Sequence, residues 1–211
     1  MISPAADTPE TCELLLRIEQ GDPAALGLLL AGHRDYLRRV VELRLDQPLR
    51  GRIDPSDVVQ EGLMEATHRI DDYLSRRPMP FRLWLRETAN QKLIDLRRRH
   101  LTAAQRSVSR ELPLPAESSM MLARAVLSPA AGSPSGRLAE QELIASVRGA
   151  LAEASEEDRE ILLLRNFEGL SSQEAAVLLG IEPAAASKRY GRALLRLRKL
   201  LQARGQTGSG P

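Results

Sequence analysis

Apolar residues in this chain recur every three to four positions, the period of helices that pack by one face. Three helix starts are written plainly. Thr8-Pro9, Asp22-Pro23 and Asp54-Pro55 each put a capping side chain before a proline at the first helical position, and Gly21 ends the helix between the first two. After Asp54, the positions Val59, Leu63, Ala66, Ile70 and Tyr73 make one apolar stripe and leave Asp57, Gln60, Glu61 and Glu65 on the polar face. The loop 75–80, SRRPMP, breaks the chain before a second helical run, FRLWLRETANQKLIDLRRRH. Helical patterning resumes at Arg137 and runs to about Arg204. Strand alternation and internal repeats are missing from the pattern, so the expected fold class is all-α.

Between the two helical blocks, LPLPAESSMMLARAVLSPAAGSPSG is rich in proline and serine and has no strong amphipathic period. The expected organisation is a first domain over 10–111, a flexible linker over 112–136 with one loose helical turn around Met120 to Ala125, and a second domain over 137–204. Residues 205–211 read as a disordered tail.

The last domain has the pattern of a helix–turn–helix. Ser171-Ser172-Gln173-Glu174 has the S-x-x-E form of a capping box, and Ala175, Ala176, Leu178 and Leu179 give the helix it opens an apolar face. Gly180 suits the left-handed residue that ends that helix, Ile181 is placed to plug the small core, and Pro183 opens the next helix. In that second helix Tyr190, Leu194, Leu197 and Leu201 share one face, while Lys188, Arg192, Arg196 and Lys199 lie nearly opposite. Ala184, Ala185 and Ser187 are small residues at its start, where a recognition helix must approach base edges closely. The candidate DNA contacts of this domain are Ser171, Gln173, Ala184, Ala185, Ser187, Lys188, Arg189, Arg192 and Arg196. A solvated basic face, or a surface for an acidic partner, is the plain alternative.

Charge sharpens the picture. The net charge is only +2, yet residues 140–182 carry −7 and residues 183–211 carry +7, and 82–111 holds eight basic residues against three acidic. Such asymmetry in a nearly neutral chain implies separate surfaces for different partners, a polyanion among them. Aromatics make up 3% of the residues and the hydrophobic fraction is 43%, so Leu and Ala carry the core. Cys12 is the only cysteine, which excludes an intrachain disulfide; within ETCELLLRI it reads as a small buried residue. The first residues lack the basic start and apolar run of a secretory signal, and no uncharged apolar run nears the roughly 18 residues of a membrane span. A cytoplasmic protein is expected.

These blocks together resemble a bacterial RNA polymerase sigma factor. DPSDVVQEGLMEA, then FRLWLRETANQKLIDLRRRH, then the C-terminal block stand in that family's order, and the small extracytoplasmic-function (ECF) group, which keeps only conserved regions two and four, is the best match over 10–111 and 137–203. The SPS-containing linker and the RRRH ending are similar to ECF factors of planctomycete type. The resemblance implies that Asp57, Gln60 and Glu61 dock on the clamp coiled coil of the largest subunit of core RNA polymerase. It also implies that the loop Ser75–Pro80, with Asn90, Gln91, Lys92, Asp95, Arg98 and Arg99, opens promoter DNA and captures an unstacked base, while the helix–turn–helix reads the distal promoter element. Factors of this group are often held inactive by an anti-sigma protein, so such a partner is implied; a cofactor is not.

Two departures from the family stand out. Its usual Asn, two residues after the Ala of the melting helix, is Gln91 here, with Asn90 before it. Its recognition-helix start, Gly-Thr-Val-Lys-Ser-Arg, is Ala184-Ala185-Ala186-Ser187-Lys188-Arg189. Trp84 has two readings, a core residue or a platform on which a base stacks.

Two other function classes compete with this reading. A helix–turn–helix regulator that binds duplex DNA without polymerase would use the same C-terminal domain. An enzyme has little to recommend it. His33, His68 and His100 have no metal-ligand spacing with Cys12, GQTGSGP lacks the end of a phosphate loop, and Asp71-Asp72 reads as a solvated helix end.

Overall fold

A computed structural model describes residues 7–45, 52–101, 116–126 and 137–207 of the chain. The chain divides into two compact units, Met1–Val108 and Ser109–Pro211. All elements among the described residues are helices.

In the first unit α1 (Pro9–Glu19) and α2 (Pro23–Arg44) form a hairpin whose turn is built by one carboxylate. Asp22 Oδ1 accepts the Ala24 N–H at 2.9 Å and caps α2, while its Oδ2 accepts from Arg17 Nη2 at 2.7 Å. Arg17 holds the Asp22 carboxyl below its ordinary range. Thr8 caps α1 as expected, and Gly21 takes φ 82°, open to glycine at little cost. α3 (Pro55–His68) is capped by Asp54, whose Oδ1 accepts the Ser56 N–H at 2.8 Å. The helix breaks at Arg69, after which α4 (Ile70–Arg76) begins, and the predicted stripe is kept across the break, with Val59, Ala66, Ile70 and Tyr73 buried. α5 (Phe81–Leu101) then crosses the unit and packs on α2 and α3.

The core of this unit joins Leu15, Leu29, Leu37, Val41, Val58, Val59, Ala66, Leu85, Ala89 and Leu93. At one end Tyr73, Phe81 and Trp84 cluster, with ring centroids 4.7 to 5.6 Å apart, and His33 meets the Phe81 ring edge-on at 5.4 Å. Trp84 is 7% exposed, so it is a core residue. α3 and α5 approach closely where Gly62 faces Ala89: a Cβ at Gly62 would lie 3.1 Å from the Ala89 Cα.

Cys12 corrects the sequence reading, because it is exposed. Thr11 and Leu15, one turn apart, are the residues that α1 turns inward.

The second unit contains a helix where a linker was expected. α6 (Ala116–Val126) buries Ser119, Met120, Leu122, Ala123 and Val126. It packs on α7 (Arg137–Glu153). Its residues were read as linker because the prolines on either side dominate the composition; residues 112–115 and 127–136 lie outside the described residues. α8 (Glu156–Asn166), α9 (Ser172–Leu179) and α10 (Pro183–Thr207) complete the unit, with α10 packed on the other four helices. α10 continues past Arg204 into the segment read as a tail, of which 208–211 lie outside the described residues. Ile161, Leu162, Leu163 and Leu164 are buried in succession, so α8 is enclosed on every side there. Arg159 closes the C-terminus of α7, donating from Nε to the Leu151 carbonyl and from Nη2 to those of Ala152 and Ala154 at 2.7 to 2.8 Å.

Candidate nucleic-acid interface

The turn between α9 and α10 forms as its residues dictate. Ser171 Oγ accepts the Glu174 N–H at 3.1 Å, and Glu174 Oε2 accepts the Ser171 N–H at 2.7 Å, a complete capping box. Gly180 adopts φ 62°, ψ 35° and lets the Ile181 N–H reach the Ala176 carbonyl at 3.1 Å. α10 then begins at Pro183, with Ala184, Ala185, Ser187 and Lys188 exposed and Ala186 fully buried between them. Ser171 and Gln173 are half-buried. Ala193, Leu197 and Leu201 continue the inward face; Arg192 and Lys199 point outward. A recognition helix with a small-residue start and a basic outer face is the shape that enters a DNA groove.

Two of the candidate DNA contacts, Arg196 and Arg189, have acidic partners already. Arg196 Nη1 donates to both oxygens of Asp158, at 2.7 and 3.0 Å. The Asp158 side chain is 7% exposed against 61% for Arg196, so this arginine neutralises a buried carboxylate, and that bond holds its guanidinium above the ordinary range. Arg189 lies 3.8 Å from Glu157. Tyr190, on the inner face, donates its O–H to Asn166 Oδ1 at 3.0 Å, and the Arg165 guanidinium sits 5.2 Å from its ring centre. Asp158, Glu157 and Asn166 were missed as parts of this site. Glu157 and Asp158 follow a visible Ser155 cap and Asn166 ends α8, but nothing local tells that they face residues 24 to 38 positions later.

In the first unit Asp57, Gln60 and Glu61 all stand exposed on α3, opposite the buried Val58, Val59, Gly62 and Ala66. Met64, 55% exposed, interrupts that polar face one turn on from Gln60 and Glu61. Its apolar side chain among polar neighbours was the available signal. Glu65 leaves this surface, because its Oε2 takes Lys92 Nζ at 2.8 Å, and Lys92 holds its carboxyl below the ordinary range. Lys92, a predicted DNA contact, is therefore an α3–α5 tie. On α5, Gln91 is exposed and donates from Nε2 to Asp95 Oδ1 at 3.1 Å; Asn90 and Asp95 are half-buried, and Arg98 and Arg99 are exposed. No helix among the described residues is long and apolar enough to cross a membrane.

The comparisons with known proteins agree with this arrangement. Residues 30–102 match sigma-70 region 2 and residues 144–197 match sigma-70 region 4. The chain is 31% identical over 199 residues to the RNA polymerase sigma factor CnrH of Cupriavidus metallidurans, covering 92% of this chain and 97% of that protein. It is 29% identical over 193 residues to the sigma factor NccH of Alcaligenes xylosoxydans xylosoxydans, covering 90% and 93%. The solved structure of CnrH with the cytosolic domain of CnrY superposes with a TM-score of 0.56 at 26% identity, over 92% of this chain and 99% of that one. With both regions in order and likeness along nearly the full length, the chain belongs to the sigma-70 family of RNA polymerase sigma factors, in its extracytoplasmic-function group.

Proposed function

We propose that this sigma factor divides transcription initiation between its two units: residues 10–111 hold core RNA polymerase and open the promoter, and residues 137–204 read the distal element. The chain acts by binding, as a sigma factor that takes core polymerase to promoter DNA. The observation that carries the division of labour is the exposed Asp57–Gln60–Glu61 face in one unit and the basic outer face of α10 in the other. Polymerase docks on Asp57, Gln60 and Glu61, with Met64 as an apolar contact among them. Gln91, Asn90, Asp95, Arg98 and Arg99 line the melting surface with the loop 75–80. Ala184, Ala185, Ser187, Lys188, Arg189 and Arg192 contact duplex DNA, flanked by Ser171 and Gln173 at the α9 end. Lys92 and Arg196 act through the protein, holding neighbouring elements in place.

We assign the chain no reaction of its own and place it in the cytoplasm with the polymerase. CnrH was solved with the cytosolic domain of CnrY, and on that likeness we propose a protein partner that holds this chain inactive. A regulator that binds duplex DNA alone would have no need of a region 2, so that reading is set aside.

The test is binding to purified core polymerase. Reversing charge with Asp57→Lys and Glu61→Lys should weaken binding tenfold or more, about 1.4 kcal/mol or above, with the thermal midpoint unchanged because both side chains are exposed. Wild-type affinity in the double variant would overturn the assignment. Transcription by the wild-type holoenzyme on a randomised promoter library then reads both DNA elements.

A further inference from the structure

The loop between α4 and α5 is held from three directions, and two of the ties come from the flanks of α1. Arg77 sits in the left-handed region, φ 39°, ψ 57°. It is the one non-glycine residue there among those described. That conformation costs energy for any residue with a Cβ and persists where surrounding contacts over-determine it. Two contacts hold it here: the Arg77 N–H donates to the Tyr73 carbonyl at 2.7 Å, closing α4, and Glu19, at the end of α1, accepts from Arg77 Nη2 with its Oε1 at 2.7 Å. Further along, the Met79 carbonyl accepts the Tyr73 O–H at 3.1 Å, and the Tyr73 ring is buried in the aromatic cluster. At the far end, Phe81 opens α5 and its N–H would have no partner within the helix. Asp7, just before α1, accepts it with Oδ1 at 2.7 Å across 74 residues of sequence. Pro78 and Pro80 fix two φ angles within this span.

A loop that captures an unstacked base binds it better when already ordered, because less conformational freedom is lost at that step. We propose that α1 is a brace that presets the 77–80 loop for strand opening, with Asp7 and Glu19 as its positioning residues. This rests on the proposed role of the loop in promoter melting. Were the ties merely structural, their loss would lower the thermal midpoint and leave the opening rate of folded molecules unchanged.

The experiment uses the full chain assembled with core polymerase. The DNA is the promoter that the wild-type holoenzyme selects from the randomised library, carrying 2-aminopurine in the melted element, and opening is followed by stopped-flow fluorescence at saturating holoenzyme. Glu19→Ala and Asp7→Ala should each slow opening by roughly threefold to tenfold, the range expected when one hydrogen-bonded tie is lost. Core-polymerase and duplex affinities should stay at wild-type values. Asp7→Asn, which keeps an oxygen to accept the Phe81 N–H, should restore the rate. A loop control combines Arg77→Gly, Pro78→Gly, Met79→Gly and Pro80→Gly. If the control slows opening while Glu19→Ala and Asp7→Ala open at the wild-type rate, the brace is overturned and the loop's role stands. If the control also opens at the wild-type rate, the melting assignment of the loop falls and the brace falls with it. Glu19→Ala, at the surface, keeps the test open should Asp7→Ala fail to fold.

Discussion

Arginine and lysine at equivalent-looking positions of α10 do different work, and burial of the partner decides which. Lys188 and Arg192 face outward, whereas Arg196 closes on a carboxylate that has almost no access to water. Arg196→Ala would leave the buried Asp158 carboxylate without its cation, so it should lower the thermal midpoint. Lys188→Ala and Arg192→Ala should leave the midpoint alone and each reduce the salt slope of duplex binding by about one. Equal midpoints for all three variants would remove the distinction.

Near the aromatic cluster two titrating groups pull in opposite directions. Burial holds His33 below 6.5, and its Nδ1–H donates to the Leu29 carbonyl at 3.0 Å. Burial raises Asp7 above 3.8. For His33 the unfolded chain binds the proton more readily, so its contribution is fully present above about pH 6.5 and lost as pH falls. Asp7 has the reverse sign: the folded carboxyl holds its proton better, so lowering pH toward 3.8 favours the fold. As pH falls from about 7 toward about 5, protonation of His33 should lower stability. Thermal melts at the two pH values check this, and His33→Gln should flatten the difference.

Helices pair here through particular small residues as much as through apolar stripes. α3 carries the proposed polymerase face outward, and its inner face brings Gly62 against Ala89 of α5. Gly62→Ala would gain up to about 1 kcal/mol of helix propensity. It would also push a Cβ to 3.1 Å from backbone, an overpacking that typically costs about 1–3 kcal/mol. A net loss near 1 kcal/mol is expected, or roughly 4–8 °C for a domain of about 100 residues; a rise in the midpoint would show that α5 can shift. The caps behaved as their residues predict, since a cap is a local hydrogen bond between positions two or three apart. α6 was not legible for the complementary reason. It is an 11-residue helix between proline-rich flanks, and its buried Met120, Leu122 and Val126 gain their stability from neighbours in the second unit.

Taken across the chain, the charge asymmetry divides into faces rather than into blocks. The acidic stretch 140–182 supplies Glu153, Glu157 and Asp158 as ion-pair partners for Arg204, Arg189 and Arg196 of the basic stretch that follows. Part of the apparent polyanion surface is thereby neutralised inside the unit. What remains outward on α10 is its small-residue start with Lys188, Arg192, Arg198 and Lys199.

The all-α class, the helix starts at Pro9, Pro23 and Pro55, the capping box and the Gly180 turn all follow from local chemistry, in which every participant lies within a few residues of its partner. The polar face of α3 and the basic face of α10 also follow, because a 3.6-residue period assigns faces without knowledge of the neighbour. The fates of Lys92, Arg196, Trp84 and Cys12 depended on packing instead. Each turns on a surface brought up from another element, such as Glu65 on α3 or Asp158 on α8, or on a helix rotation of one residue that places Thr11 rather than Cys12 inside. The ties from Asp7 and Glu19 to the 77–80 loop belong to the same class. They span 74 and 58 residues, and a hydrogen bond between distant positions exists only once the core has fixed where both ends lie.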